Sequence, residues 1–292
     1  MAPGGEFLPP GPCLAVLCRT MEQLDAALSG GASWVECDFE DLRRYKEAVE
    51  RTRTRGIPIA LAPPRIFKPG EAGFLSVLLK AAPDALLVRS TAHLAVFARE
   101  APGTPRIGDY SLNVANDLSA AWALDQGLAR FVPSYDLNFE QLSGVLSRID
   151  PSRAEVVVHQ HMPMFHMEHC VFAAALSKGK DWTDCGRPCD RHRVSLRDWA
   201  GKEHPLVADA GCRNTVYNAV PQSASQYVRR MLEAGVRWFR VELLGEDAAG
   251  ARRLVNAYRE VLDGARDGET LWRELRASNV MGVTRGPLGR EG

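Results

Sequence analysis

The sequence contains no apolar run approaching the eighteen or so residues of a membrane span, so no transmembrane helix is expected. It has no net charge. Its 36 basic side chains balance 36 acidic ones, which leaves no global field to draw it to nucleic acid or to an anionic membrane. A local basic patch is the only such route left open. The first residues, Met1 to Glu6, lack the basic start and apolar stretch of a secretory signal. No G-x-G-x-x-G or G-x-x-x-x-G-K-S/T loop follows an apolar run, which removes the dinucleotide and P-loop signatures. H-E-x-x-H and G-x-S-x-G are missing too, so neither a zinc-protease helix nor a serine-hydrolase elbow is expected. These absences predict a soluble, cytoplasmic protein.

What is present is a cluster of cysteines. Cys170, Cys185, Cys189 and Cys212 fall in one stretch with the spacing C-x14-C-x3-C-x22-C, and residues 159–212 hold six of the seven histidines. A reducing compartment keeps thiols free, so a local cluster there points to metal rather than to disulfides, and the odd total of 7 cysteines agrees. Four thiolates make the cage of an iron–sulfur cluster or of a structural zinc. Zinc sites favour C-x2-C knuckles, which are absent, whereas iron–sulfur clusters tolerate irregular spacing. Unrelated buried thiols are the third reading of the group. Cys13, Cys18 and Cys37 stand apart and read as small core residues.

The rest of the chain alternates short β-branched runs with amphipathic ones. Strands are expected at 14–18, 34–38, 57–62, 85–89, 106–110, 130–133, 155–159 and 238–243. Helical spacing appears in Met21–Ser29 before Gly30-Gly31, and in Phe139–Ile149 with Asn138 as N-cap. Eight βα units in about 250 residues fit a (β/α)8 TIM-type barrel, with an open doubly wound sheet as the alternative. The barrel is expected over residues 13–264, with a cysteine-rich insertion at 160–222 between strands seven and eight. Residues 1–12 read as a loose segment and 265–292 as a C-terminal extension, with its end at 282–292 extended.

Working residues of a barrel sit at the C-terminal ends of its strands. His159 closes the seventh strand and Cys170 follows in the same loop, so the metal site is expected over the mouth. His161, His166 and His169 stand nearby, and any of these imidazoles suits proton transfer near neutral pH. Arg187, Arg191 and Arg213 are candidates to hold a carboxylate or phosphate bidentately. A basic stripe of Arg187, Arg191, His192, Arg193 and Arg197 suits RNA phosphates, and Phe165, Trp182 and Trp199 suit a partner surface.

Several motifs carry a resemblance. Val156-Val157-Val158-His159, Cys170 and Cys185-Gly186-Arg187-Pro188-Cys189 resemble the signature of peptidase family U32, the collagenase-like proteins. Ser111-Leu112-Asn113-Val114-Ala115-Asn116, Pro133-Ser134-Tyr135-Asp136-Leu137 and the stretch from Gly235 to Glu242 are similar to further family segments in the same order. The chain departs in having Pro163 where many members have cysteine, Gln160 for a glycine, and Glu168-His169-Cys170 for Gly-Arg-Cys. The resemblance implies a (β/α)8 fold and a [4Fe-4S] cluster on Cys170, Cys185, Cys189 and Cys212, with zinc as the alternative. It implies either collagenase-like proteolysis or oxygen-independent hydroxylation of RNA or of a small aromatic or quinone substrate. An anionic co-substrate such as prephenate would supply the hydroxyl, and a paired U32-type subunit is a possible partner. On that reading His159 or His169 handles protons. Asp136, Glu242, Asn113 and Asn116 face the mouth, and Arg187, Arg191 and Arg213 bind substrate.

Overall fold

The computed structural model describes residue 9 and residues 11–179 and 181–278. Seven strands run in chain order before the cysteine segment: β1 (Cys13–Cys18), β2 (Trp34–Cys37), β3 (Ile59–Leu61), β4 (Ala85–Val88), β5 (Arg106–Gly108), β6 (Arg130–Phe131) and β7 (Glu155–Gln160). The segment adds β8 (Pro163–Met167), β9 (Val194–Arg197), β10 (Glu203–Asp209), β11 (Arg213–Tyr217) and β12 (Gln222–Ser223), and β13 (Trp238–Glu242) follows it. The helices are α1 (Met21–Ser29), α2 (Tyr45–Arg55), α3 (Ala72–Lys80), α4 (Thr91–Glu100), α5 (Asp117–Asp125), α6 (Phe139–Leu146), α7 (Val171–Leu176), α8 (Val228–Glu233), α9 (Ala248–Leu262) and α10 (Gly268–Ser278). No helix among the described residues is long and apolar enough to cross a membrane.

The main sheet has the order β12-β7-β13-β1-β2-β3-β4-β5-β6, parallel throughout except for β12. Its strands run parallel because helices cross over between them, and β1 is apolar on both faces. In β1, Leu14, Val16 and Cys18 pack outward on the helices, while Cys13, Ala15 and Leu17 point inward. Helices then cover the outer face. Thr20 caps α1 by accepting from the Gln23 N–H at 3.2 Å, and Gly30 ends it. A Cβ at Gly30 would lie 3.0 Å from that of Val255, so this glycine permits the close packing of α1 on α9.

The sheet curls toward a ring in the expected strand order. Between β6 and β7 the ladder is reduced to a single parallel bridge, Phe131 to Ala154, and β12 pairs antiparallel with the other end of β7. The molecule is thus a curled parallel α/β sheet whose seam is not a continuous ladder. The segment after β7, read from sequence only as a break in the rhythm, forms a second, antiparallel sheet of order β8-β11-β10-β9. Phe172, Leu206 and Val216 make its small core, against which Cys170 and Cys189 pack. The expected loose start lies almost wholly outside the described residues, as does the extended end at 282–292. Within the expected extension, residues 268–278 form a helix, α10.

Candidate metal centre

The inner face of the curled sheet is polar over much of its height. Arg240 reaches Glu155 at 2.5 Å, Asp109 at 2.7 Å and Glu36 at 2.7 Å, all fully or almost fully buried. Arg130 pairs with Glu155 and lies 3.6 Å over the Trp238 ring. Arg89 bridges Asp38 at 2.6 Å and Asp109 at 3.0 Å. Burial raises the Glu36 carboxyl well above the ordinary range, while Arg240 and Arg130 overcome burial at Glu155 and bring it to about 2. Arg19, Arg89, Arg130 and Arg240 thus face Glu36, Asp38, Asp109, Glu155 and Glu242.

At the strand C-terminal ends this network opens into a cavity of about 30 Å3, room for about one water. Arg19, Asp38, Arg65, Arg89, Tyr110 and Glu242 line it from the main sheet and its connections. His166, Asp209, Thr215 and Tyr217 close it from the second sheet, which therefore roofs the mouth. Glu242 lines the mouth, accepting from the Tyr135 hydroxyl at 2.6 Å and paired with Arg19 at 3.2 Å. Arg65 lies over the Tyr110 ring at 5.2 Å. His166 meets the Thr215 hydroxyl through Nδ1 at 2.9 Å, and its Nε2 is buried without a partner. Burial and the nearby arginines lower this imidazole to about 4, so it is neutral at physiological pH.

Next to the mouth, Cys170, Cys185, Cys189 and Cys212 all line one cavity of about 340 Å3. Each reaches it from a structured turn. Cys170 is the N-cap of α7, and its sulfur accepts from the Ala173 N–H at 3.4 Å. The buried Asn214 amide oxygen accepts from Val171 N at 2.7 Å and so ties α7 to β11. Cys185 accepts from the Arg187 N–H at 3.3 Å, inside a turn where Gly186 and Arg187 both have positive φ. Cys212 has φ +60° in the turn between β10 and β11, and the Trp182 backbone N–H faces its sulfur. Of the four described non-glycine residues with positive φ, Arg187 and Cys212 belong to this site, and such backbones gather at functional sites. Cys189 lies 3.5 Å from Glu40, and burial with that carboxylate pushes its thiol up to about 12.

The donor set fits a metal cluster better than one ion. A tetrahedral zinc with bonds of 2.3 Å holds its sulfurs about 3.8 Å apart. The one described group of three or more ligand atoms within 4.8 Å of one another is Glu40, Cys189 and Asp190, so no three of the four thiols are that close. Four thiols spread around one cavity, three of them facing backbone N–H groups, suit a larger iron–sulfur core, whose sulfurs are tuned by such hydrogen bonds.

Other expected site residues lie elsewhere. His159 was expected at the mouth, but the register shifts beside it: Arg240 faces Val157, whereas Val241 faces His159. The irregularity turns His159 to the helix side, where its Nδ1 meets the Tyr258 hydroxyl at 3.2 Å. It opens with His161 on an outer cavity of about 660 Å3 beside α9 and α10, which no cysteine lines. His169 and Asp136 are exposed and line neither the mouth nor the cysteine cavity. Asn116 is the N-cap of α5 in a capping box with Ser119, and Asn113 is the left-handed residue ending the turn at 110–112. Arg213 is fully buried between Glu71 at 2.5 Å and Glu168 at 2.9 Å, so it fastens the turn after Cys212 to α3 and to the Cys170 loop. Arg187 lines the cysteine cavity but pairs with Asp190 at 2.8 Å, and Arg191 donates to the Gly186 carbonyl. Pro163 lines the mouth, not the cysteine cavity. Phe165, Trp182 and Trp199 are exposed.

The histidines give a pH signature. Burial lowers His159 to about 3 and His93 to about 4, against about 6.5 in an unfolded chain. Between those values the unfolded chain holds protons that the folded one does not. Their contribution is therefore complete above pH 6.5 and is lost as the pH falls. The Asp209 carboxyl, raised to about 6, acts in the opposite sense below that pH. His159→Gln removes one such proton, so its stability loss between pH 7 and pH 5 should be about 2 kcal/mol smaller than in the parent. Denaturant unfolding at the two pH values measures this, and equal losses would contradict the buried neutral imidazole.

Residues 34–286, most of the chain, match the profile of peptidase family U32. No curated protein matches. Among solved structures, a thiamine phosphate pyrophosphorylase from Pyrococcus furiosus is similar in fold, with a TM-score of 0.50 and 12% identity over 87% of this chain and 96% of that one. A U32 peptidase aligns with a TM-score of 0.43 and 14% identity over 53% of this chain and 73% of its own. The spore cortex-lytic enzyme of Bacillus cereus aligns with a TM-score of 0.43 and 10% identity over 84% and 74%.

Proposed function

The chain belongs to peptidase family U32, and from that premise we propose that it is a [4Fe-4S] protein that hydroxylates a small aromatic or quinone-type substrate without oxygen. The observation that carries this reading is the convergence of Cys170, Cys185, Cys189 and Cys212 on one cavity beside a polar, roofed mouth. Those four cysteines would hold the cluster, which when bound supplies one-electron chemistry. A complete (β/α)8 barrel with the cysteine segment inserted after its seventh strand is part of the same proposal.

The chain's own groups divide the remaining work. Arg65 has no ion pair among the described residues, which suits it to an anionic co-substrate such as prephenate. Glu242, held by Tyr135 and Arg19, and the neutral His166 would orient the substrate by hydrogen bonds. The second sheet closes the mouth to a space of about one water, so this roof would have to lift to admit substrate, and a small molecule needs less opening than an RNA strand. Of the basic stripe, Arg187 and Arg197 are already paired with Asp190 and Glu203.

Deletion of the gene followed by anaerobic growth tests the proposal. Mass spectrometry should show one hydroxylated quinone intermediate disappearing, and Cys185→Ala should fail to restore it. Loss of a modified nucleoside instead would move the substrate to RNA. Peptide cleavage that survives Cys185→Ala would make the protein a collagenase-like peptidase. Restoration only together with a second U32-type chain would make it a cluster-bearing partner subunit.

A further inference from the structure

Asp209 ends β10, three residues before Cys212, and lines both the mouth and the cysteine cavity. Only Ala208 shares that position, and it has no functional group. No cation pairs with the Asp209 carboxylate among the described ion pairs, and its hydrogen-bond donor is the Ala210 N–H at 2.7 Å. Resting on the cluster reading above, we propose that Asp209 couples the two cavities by taking up one proton when the cysteine site gains one electron. The electron comes from a low-potential one-electron donor and the proton from solvent, so the added negative charge is balanced within the site.

The surroundings set the sense of this coupling. Asp38 at the end of β2 and Arg89 at the end of β4 face Asp209 from the main sheet, and Arg213 faces it from β11. Across the mouth stand Arg19, Arg65, His166, Tyr217 and Glu242. The cysteine cavity adds Glu40, Asp41, Arg43 and Arg187. Arg19 and Arg89 are committed to Glu242 and to Asp38 with Asp109, and Arg213 to Glu71 and Glu168. Burial and the Asp38 charge therefore prevail over Arg89 and hold the Asp209 carboxyl near 6. A negative charge arriving among the cysteines pushes it higher still. Glu40 also has a raised carboxyl, but it contacts Cys189 and lines only the cysteine cavity.

The test is a potentiometric titration of the anaerobically loaded, full-length protein from pH 5.5 to 8.5, with dithionite as reductant and paramagnetic resonance as readout. Over part of this range the parent potential should fall by about 59 mV per pH unit, the value for one proton per electron. Asp209→Asn should bind the same amount of iron and lose the slope. Asp38→Asn, which leaves Asp209 in place, should move the onset of the slope to lower pH. A parent potential independent of pH, or a slope that persists in Asp209→Asn, overturns the proposal while leaving the cluster reading intact. A parent protein that takes up no iron overturns both.

Discussion

Cys212→Gly is expected to empty the cysteine cavity of iron while leaving the metal-free fold within about 1 kcal/mol of the parent. The two halves of that result have separate causes. The left-handed backbone at Cys212, φ +60°, costs a residue with a side chain about 1–2 kcal/mol. Glycine relieves it but gives back about 0.5–1 kcal/mol in unfolded-chain entropy. A strained cysteine that is only half-buried adds little packing, so the sulfur is the main thing that glycine removes. Cys18 supplies the contrast, being fully buried against the helices. Cys18→Ala should keep the iron and lose about 1 kcal/mol through the small cavity it leaves. Iron content and metal-free denaturant unfolding measure both arms. Iron retained by Cys212→Gly would remove Cys212 from the site.

Arg240→Met is expected to destabilise the protein by about 3–5 kcal/mol or more, the largest effect of any single substitution considered. Methionine fills much of the volume but leaves Glu155 and Asp109 buried beside a neutral chain. Their carboxyls, now held low by arginine, would rise above their unfolded values. The folded variant would then bind more protons than the unfolded chain, so its deficit should shrink as the pH falls from 8 toward 5. Glu36→Gln should cost no more than about 1 kcal/mol, because burial already raises the Glu36 carboxyl and favours its neutral form. Glu155→Gln should cost several times as much, since it strips the partner from Arg130 as well as Arg240. Equal costs for the two glutamines would contradict this division of charge.

The main sheet was legible because its signals are local. Short apolar, β-branched runs mark most of β1 to β7, and α1 ends at the glycine pair that its spacing predicts. The inward direction of Arg240 has no sequence signature, and neither do its partners Glu36, Asp109 and Glu155, which come from three other places in the sheet. A charge closing an apolar run, as at Asp38, Arg89 and Asp109, was the available sign of a polar interior.

His159 was expected at the mouth because it closes the seventh strand. One register irregularity beside Arg240 moves it to the other face, and no residue type announces it. Asn116 followed by Ser119 spelled a capping box and was read as a strand end. The second sheet escaped because β9 is largely exposed and β8 only partly buried, so neither shows a clean apolar period. Asp209 and Glu40 became visible only once the cysteine cavity had a wall.

The account turns on what the four cysteines hold, and the direct measurement is iron and sulfide content of anaerobically purified protein with its paramagnetic spectrum after reduction. About four irons and four sulfides per chain, with a cubane signal that disappears in Cys212→Gly, is the predicted result. A colourless protein carrying one zinc per chain, undisturbed by reduction, would contradict it.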